Sequence, residues 1–256
     1  MSVETGSGPK VSSSSDAAAL AFGETNGGPA RPTPSRRRFH AIHTVLRERI
    51  ALLSYPPGTR LDVDQLAGEF AVSRTPIRTV LQRLEYQGLV ATRHGVGTTV
   101  TEVDFEHLRE ATEFRMRLAE LIGDLQPLPP SPEAVARLAG ARADCLAMLG
   151  HPDLEAFGRI DIRLHEAVCS VIGHSLLRQS YDELYYRTAR MWVYFLPKLD
   201  WDEEVTHFLG DIDAVLRALQ RGDPRAAGFE IRNAVSAALY RLGELIRAAE
   251  SIPGDI

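Results

Sequence analysis

Residues 74 to 82 carry polar side chains at a spacing that could bring them to a polyanion. Arg74, Arg78 and Gln82 recur at i, i+4 and i+8, so an α-helix would place them on one side. The guanidinium group is a planar fork of donors that matches two phosphate oxygens or the O6 and N7 atoms of guanine. The pattern predicts contact with a nucleic acid, and the simpler alternative is a solvated helix face.

A second group of reactive side chains lies in the C-terminal half. Asp161 and His165 are four residues apart on a predicted apolar helix face, which is the spacing of two ligands to one metal. A hydrogen bond between the two side chains is the simpler interpretation. Arg115 falls at the edge of an earlier apolar stripe, where a guanidinium is costly unless an anion meets it. That anion could be a neighbouring carboxylate or a bound ligand.

The elements around the first group follow a recognisable order. Apolar residues at helical spacing predict helices from Phe39 to Leu53 and from Val63 to Phe70, and a third that begins at the N-cap Ser73 and ends at Gly88. Two short β-rich runs, 89–93 and 98–101, follow around a glycine turn. This is the order of a winged helix-turn-helix. Its exposed face would consist of Arg74, Thr75, Arg78, Thr79 and Gln82, with Arg93, His94 and Gly95 at the tip of the hairpin.

The rest of the chain has the pattern of an all-helical domain. Six candidate helices span approximately residues 104–125, 132–149, 153–173, 175–198, 203–221 and 224–249. The connections between them are short, so neighbouring helices should pack antiparallel. We therefore predict a mostly α protein with a disordered tail over 1–35, a winged helix-turn-helix over 36–102, and an antiparallel bundle of six or seven helices over 103–250.

Charge is distributed unevenly along the chain. The net charge is −5, but residues 36–101 contain ten arginines and five acidic residues, while residues 102–256 contain 17 basic and 26 acidic residues. The helix-turn-helix segment thus carries +5 and the helical body −9. A basic segment joined to an acidic one suggests that only the first meets a polyanion.

Several classes of protein are excluded by composition. No apolar run approaches the roughly 18 residues of a membrane span, and we expect no secretory leader. Cys145 and Cys169 have no CxxC partners for zinc or thiol redox chemistry. We expect a cytoplasmic protein without a membrane partner.

The N-terminal segment resembles the DNA-binding domain of the GntR family of bacterial transcription regulators. The resemblance is carried by the runs 57–61, 66–67, 72–78 and 88–90, with Leu81, Arg83 and Leu84. It implies a dimer on a short inverted repeat of double-stranded DNA, with Ser73, Arg74, Thr75, Arg78, His94 and Gly95 at the DNA. The family often has a basic DNA contact in the second helix, where this chain has Asp62 and Asp64. Arg36–Arg38 could supply phosphate contacts instead.

The C-terminal segment resembles the effector domain of the FadR subfamily, the FCD domain. The resemblance is carried by Arg115, by Asp161 and His165, and by the turn 222–224. It implies dimerisation and a small, usually carboxylic acid, effector. Many members bind a divalent metal through that Asp, that His and two further histidines, whose positions here are Ile212 and Ala234. Neither can ligate a metal, although a register slip of one residue would offer Asp211, Asp213 or Asn233.

We therefore expect no cofactor and an effector site of Arg115, Asp161, His165, Ile212 and Ala234, in which Arg115 and His165 hold the acid group. The predicted function is a ligand-responsive, homodimeric transcription regulator, a repressor rather than an activator, and not an enzyme. One alternative is a helical-bundle metal-dependent enzyme that uses Asp161 and His165. Another is an architectural DNA binder without sequence preference, which would need basic surface throughout the chain.

Overall fold

The N-terminal part of the molecule is a three-helix unit with a β-hairpin. The computed structural model describes residues 33–250, and the side chains of residues 33–248. The helices are α1 (Pro34–Ala51), α2 (Val63–Glu69) and α3 (Arg74–Tyr86), followed by strands β1 (Val90–Arg93) and β2 (Gly97–Val100). Buried Leu46, Ile50, Ile77, Val80 and Leu84 hold the helices together.

The start of α1 corrects the predicted tail. Most of the tail lies outside the described residues, but Pro34 and Ser35 already belong to the helix. Proline at the first helical position lacks only an N–H that would have no intrahelical partner, and the Thr33 side chain accepts a hydrogen bond from the Arg36 N–H at 3.3 Å. The first helix therefore begins before its first large apolar residue.

The hairpin is the predicted wing. Its strands pair antiparallel from Val90 opposite Val100 to Arg93 opposite Gly97. Gly95 (φ +79°) and Gly97 (φ +96°) adopt the left-handed region that the tight turn requires. Arg60 forms a bridge with Thr99 and so ties the loop before α2 to the wing.

The C-terminal part is an antiparallel helical bundle around one apolar core. Its helices are α4 (Phe105–Glu120), α5 (Pro132–Ala147), α6 (Leu154–Cys169), α7 (Ser175–Phe195), α8 (Trp201–Gln220) and α9 (Pro224–Glu250). Phe157, Val168 and Ile212 lie in the core. A Cβ added at Gly228 of α9 would lie 2.5 Å from the carbonyl oxygen of Ala119, so glycine permits α4 and α9 to approach closely.

Several helices end earlier than predicted, among them α6, which ends at Cys169 rather than near residue 173, and two of these endings have a clear cause. Helix α4 ends at Glu120 rather than near residue 125, because the next residues form turns that bury Ile122, and Pro127 then pairs with Ile172. Helix α7 ends at Phe195 and continues as a short 3₁₀ turn that contains Pro197. Both endings shorten the bundle helices without changing their order.

The helix-turn-helix unit and the helical bundle pack against each other mainly through α7. Ile162 of α6 and Tyr185, Tyr186 and Ala189 of α7 join the apolar cluster of the helix-turn-helix. Arg190, only 2% exposed, donates hydrogen bonds to the Thr101 carbonyl at 2.5 Å and to the Glu102 carbonyl at 3.1 Å. Helix α7 therefore holds the segment that connects the wing to α4. Across residues 33–250, no helix is both long and apolar enough to cross a membrane.

Candidate DNA interface and effector cavity

The proposed DNA face is exposed as a single surface. The apolar stripe of α3, with Ile77, Val80 and Leu84 buried, directs the opposite side of the helix to solvent. All eight residues predicted for DNA contact are exposed: Ser73, Arg74, Thr75, Arg78, Thr79, Gln82, His94 and Gly95.

The start of α3 differs from a standard capped helix. Ser73 occupies the N-cap position as predicted, but its side chain makes no capping hydrogen bond. Its exposed hydroxyl is therefore free to meet a ligand at the helix N-terminus, where N–H groups favour anions.

The acidic residues of α2 have local roles that the sequence did not reveal. Asp62 caps α2 by accepting hydrogen bonds from the N–H groups of Asp64 at 2.8 Å and Gln65 at 3.0 Å, and these bonds lower the pKa of its carboxyl. Asp64 receives the Arg74 guanidinium through both carboxylate oxygens, with Nη2 at 3.0 Å from Oδ2. Asp64, which lies in the helix where the family often has a basic DNA contact, thus orients Arg74.

A small cavity lies between α4, α6, α7, α8 and α9 and encloses about 90 Å³. Three of the residues predicted for the effector site, Arg115, Asp161 and Ala234, line it. Further residues around it are Thr112, Phe157, Leu164, Thr188, Ala189, Met191, Trp192, Glu204, Phe208, Asp211, Ile231, Val235, Ala238, Leu239 and Arg241.

Arg115 lies in this cavity without an ion pair to a described carboxylate. Its side chain is largely buried, and its Nη1 donates to the Thr188 hydroxyl at 3.0 Å. Its guanidinium carbon lies 5.3 Å from the ring centre of Tyr185. Among the described residues no acidic side chain lies within ion-pair distance of Arg115, so the structural salt bridge considered above is not formed.

Two acids in the cavity also form no ion pair with a described residue. Asp161 accepts a hydrogen bond from the Tyr185 hydroxyl at 2.9 Å, and burial raises the pKa of its carboxyl against the opposing field of Arg115. Asp211 makes no hydrogen bond or ion pair with a described residue, and burial raises its pKa to about 6. In contrast, Glu204 pairs with Arg241 through two hydrogen bonds of 2.8 and 2.9 Å.

His165 and Ile212, the other two residues predicted for the effector site, do not line the cavity. Asp161 and His165 share a face of α6, and both contact Tyr185 of α7, Asp161 through its hydroxyl and His165 through its ring. The imidazole of His165 stacks on Tyr185 with 3.7 Å between ring centres, and its Nε2 lies 3.0 Å from Asp182. Burial lowers the pKa of His165 to about 4, so the ring is neutral. On α8, Asp211 faces the cavity while Ile212 is fully buried in the core.

Two of the four positions at which the family resemblance implies metal ligands hold residues that cannot bind a metal. Ile212 and Ala234 offer no ligand atom, and Asp161 and His165 are engaged by α7. A nitrogen, a sulfur and an oxygen from His165, Cys169 and Asp182 do lie within 4.8 Å of one another, outside the cavity. Burial strongly raises the pKa of the Cys169 thiol, which opposes the thiolate that a metal requires.

Contacts on α7 link the cavity to the DNA-binding unit. Thr188 and Trp192 line the cavity, while Asp182 receives the Arg47 side chain of α1 at 2.5 Å. The Arg47 guanidinium also lies 3.5 Å from the ring centre of Tyr186. Aromatic crowding in this helix was visible in the sequence, but the pairing partners of its polar residues were not.

Comparison with known proteins agrees with this architecture. The model of bacterial regulatory proteins of the gntR family matches residues 40–100, and the FCD domain model matches residues 106–237. The chain belongs to the GntR family and carries an FCD effector domain. Members of this family are DNA-binding transcription regulators rather than enzymes, so the metal-dependent enzyme is set aside.

Individual relatives support the same assignment. The Uxu operon transcriptional regulator of Escherichia coli is 28% identical over 219 residues, which cover 76% of this chain and 82% of that protein. An uncharacterised HTH-type regulator of Streptomyces ambofaciens is 33% identical over 144 residues, and the match spans 56% of this chain and 59% of the relative. The structure of E. coli McbR/YncC superposes with a TM-score of 0.66 at 20% identity, covering 83% of this chain and 98% of that one. At this identity the last comparison supports the fold.

Proposed function

We propose that this regulator is a cytoplasmic, homodimeric repressor that binds a short inverted repeat and is released by a small organic acid. The observation that carries the proposal is the pairing of two sites within one chain. One is an exposed, arginine-bearing helix face, and the other is a cavity with an unpaired buried guanidinium. A repressor of this kind needs both, because the ligand must bind away from the DNA.

On the DNA side, Arg78 is the side chain best suited to read a base. Arg74 is already held by Asp64, whereas Arg78 is exposed and has no ion pair among the described residues. A bidentate arginine contact to guanine contributes about 1–3 kcal/mol of discrimination. We assign phosphate contacts to Ser73, Thr75 and Arg36–Arg38, and further contacts to Thr79, Gln82 and the wing residues His94 and Gly95.

The DNA-binding test uses an operator selected from random duplexes by the full-length protein. Arg78→Ala should weaken binding to that duplex by roughly tenfold or more, while binding to unrelated DNA changes little. Arg137→Ala, an exposed arginine on α5, is the matched control and should bind both duplexes as the wild type does. An equal loss of affinity for both duplexes would show that Arg78 contacts a phosphate and does not read a base. A footprint spread over all sequences would support the architectural binder instead.

On the effector side, Arg115 holds the acid group. His165 acts from outside the cavity, as part of the contact between α6 and α7. We propose that no resident metal takes part, since Ile212 and Ala234 stand where ligands would be needed. Metal analysis of the purified protein, with and without chelator treatment before DNA binding, tests this. Chelator-dependent DNA binding would refute it.

The effector would act by shifting a population of domain arrangements. Helix α7 lines the cavity and also contacts α1, so a ligand that prefers one position of α7 must also bias the helix-turn-helix. Titration of a fluorescent operator complex with small acids measures this directly, and mass measurement in solution tests the dimer. A monomer on a single half-site would contradict the proposal.

A further inference from the structure

The effector cavity contains unpaired charges of both signs, and this limits what can bind there. Glu204 and Arg241 neutralise each other through two hydrogen bonds. The remaining charged groups on the wall are Arg115, Asp161 and Asp211. Among the described residues on the cavity wall, one cation and two carboxyl groups are therefore left without an ion pair.

These groups are of two kinds, which we call the positive pole (Arg115) and the acidic pole (Asp161 and Asp211). Arg115 comes from α4 and is fixed by the Thr188 hydroxyl at 3.0 Å. Asp161 comes from α6, where its Oδ2 is occupied by the Tyr185 hydroxyl, and its Oδ1 has no described partner. Asp211 comes from α8, and neither of its oxygens has a hydrogen-bond or ion-pair partner among the described residues. The positive pole thus comes from one helix, and the acceptor oxygens of the acidic pole come from two others.

A simple carboxylate would satisfy only one of these poles. It would pair with Arg115, but its negative charge would add to those of Asp161 and Asp211 in a partly dehydrated space. Carboxylate oxygens accept hydrogen bonds and donate none, so both acids need donors. An ammonium group supplies three N–H donors and a positive charge, whereas a hydroxyl supplies one donor and no charge.

We propose that the effector is an amino-carboxylic acid in its zwitterionic form, and this inference rests on the proposed function. Its carboxylate binds Arg115, and its ammonium group donates to Asp161 and Asp211. Its carbon skeleton lies against the apolar wall that includes Trp192, Phe208 and Leu239. This assignment explains why the cavity wall contains two acidic side chains although the expected ligand is itself an acid.

The test uses families of ligands that share one carbon skeleton. For α-, β- and γ-amino acids of increasing length, the full-length protein is titrated with the amino acid, the matching hydroxy acid, the deaminated acid and the decarboxylated amine. In at least one family the amino acid should bind about tenfold or more tightly than each of the other three, because it alone satisfies both poles.

Two variants test which side chain binds the ammonium group and which binds the carboxylate. Asp211→Asn should reduce the preference for the amino acid over the deaminated acid, and Arg115→Gln should reduce the preference for the amino acid over the amine. Asp213→Asn is the control, because Asp213 lies on the same helix, pairs with Arg142 and does not line the cavity. It should leave both preferences unchanged. Circular dichroism and the dimer mass establish that each variant is folded.

The outcomes separate this inference from the proposed function. If the deaminated acid or the hydroxy acid binds at least as tightly as the amino acid, and Arg115→Gln abolishes that binding, the zwitterion is wrong but an acid effector stands. If the Asp211→Asn preferences equal those of the wild type, the inference is also overturned. If no member of any family binds, both the zwitterion and the acid effector are refuted.

Discussion

Replacement of Asp211 by asparagine should stabilise the protein, and the gain should grow with pH. The carboxyl has an ordinary pKa of 3.8, which burial raises to about 6 in the folded state. Between these two values the folded protein binds more protons than the unfolded chain, so the free energy of unfolding falls as pH rises. The penalty is complete above pH 6 and is removed below pH 3.8. Asparagine has no such penalty and loses no hydrogen bond present at Asp211.

The size of the effect follows from the displacement of the pKa. A shift of about two units corresponds to about 3 kcal/mol as an upper limit, which partial exposure reduces to roughly 1–2 kcal/mol. Between pH 5 and pH 8 the advantage of the variant should increase by on the order of 1 kcal/mol. Arg241 favours the charged form of Asp211, while Glu204, Asp161 and Glu230 oppose it, so the sign is set by burial and by neighbouring acids.

Urea denaturation at pH 5, 6, 7 and 8 and at one protein concentration measures the difference. The control is Glu203→Gln, which changes an exposed carboxylate on the same helix and should give no increasing advantage. An advantage for Asp211→Asn that is constant or falls as pH rises would refute the argument. A variant that is less stable at every pH would show that Asp211 has a partner in the folded state.

Two other predictions concern packing. In urea denaturation, Gly228→Ala should destabilise the protein by roughly 1–3 kcal/mol, because the new Cβ meets a backbone carbonyl of α4. At Gly140 a new Cβ would have nothing within 4 Å, so Gly140→Ala should be neutral or stabilising by up to about 1 kcal/mol. Arg47→Met should lower the free energy of unfolding less in an Asp182→Asn background than in the wild type. In a double-mutant cycle the coupling energy between the two side chains should be about 0.5–3 kcal/mol. Additive effects of the two substitutions would show that the pair contributes nothing.

The sequence predicted the orientation of the DNA face because local periodicity decides it. Ile77, Val80 and Leu84 can be buried together only on one side of α3, which leaves Arg78 on the other. The pairing of Arg74 with Asp64 could not be predicted in this way. Its ten-residue separation crosses a turn, and the geometry of that turn, rather than a helical period, brings the two side chains together.

The residues that line the cavity could be predicted from the sequence only in part, for a related reason. Helical spacing correctly placed Asp161 and His165 on one face of α6, but it could not say which part of that face meets which neighbouring helix. Tyr185 decides this, since its ring stacks on His165 while its hydroxyl binds Asp161. On α8, helical spacing likewise could not distinguish neighbouring positions. Ile212 was predicted for the effector site, but Asp211 lines the cavity and Ile212 lies in the core.

Tyr185 also provides a short physical connection between the two functions. A ligand that binds Asp161 shares this carboxylate with the Tyr185 hydroxyl, and the ring of Tyr185 stacks on His165, whose Nε2 lies next to the Asp182 that pairs with Arg47. Because coupling between two binding sites is reciprocal, a ligand that weakens operator binding by some factor must itself bind more weakly to the operator complex by the same factor. Substitution of Tyr185 by phenylalanine keeps the ring and removes only the hydroxyl, so it should change this factor while leaving the stacked His165 in place.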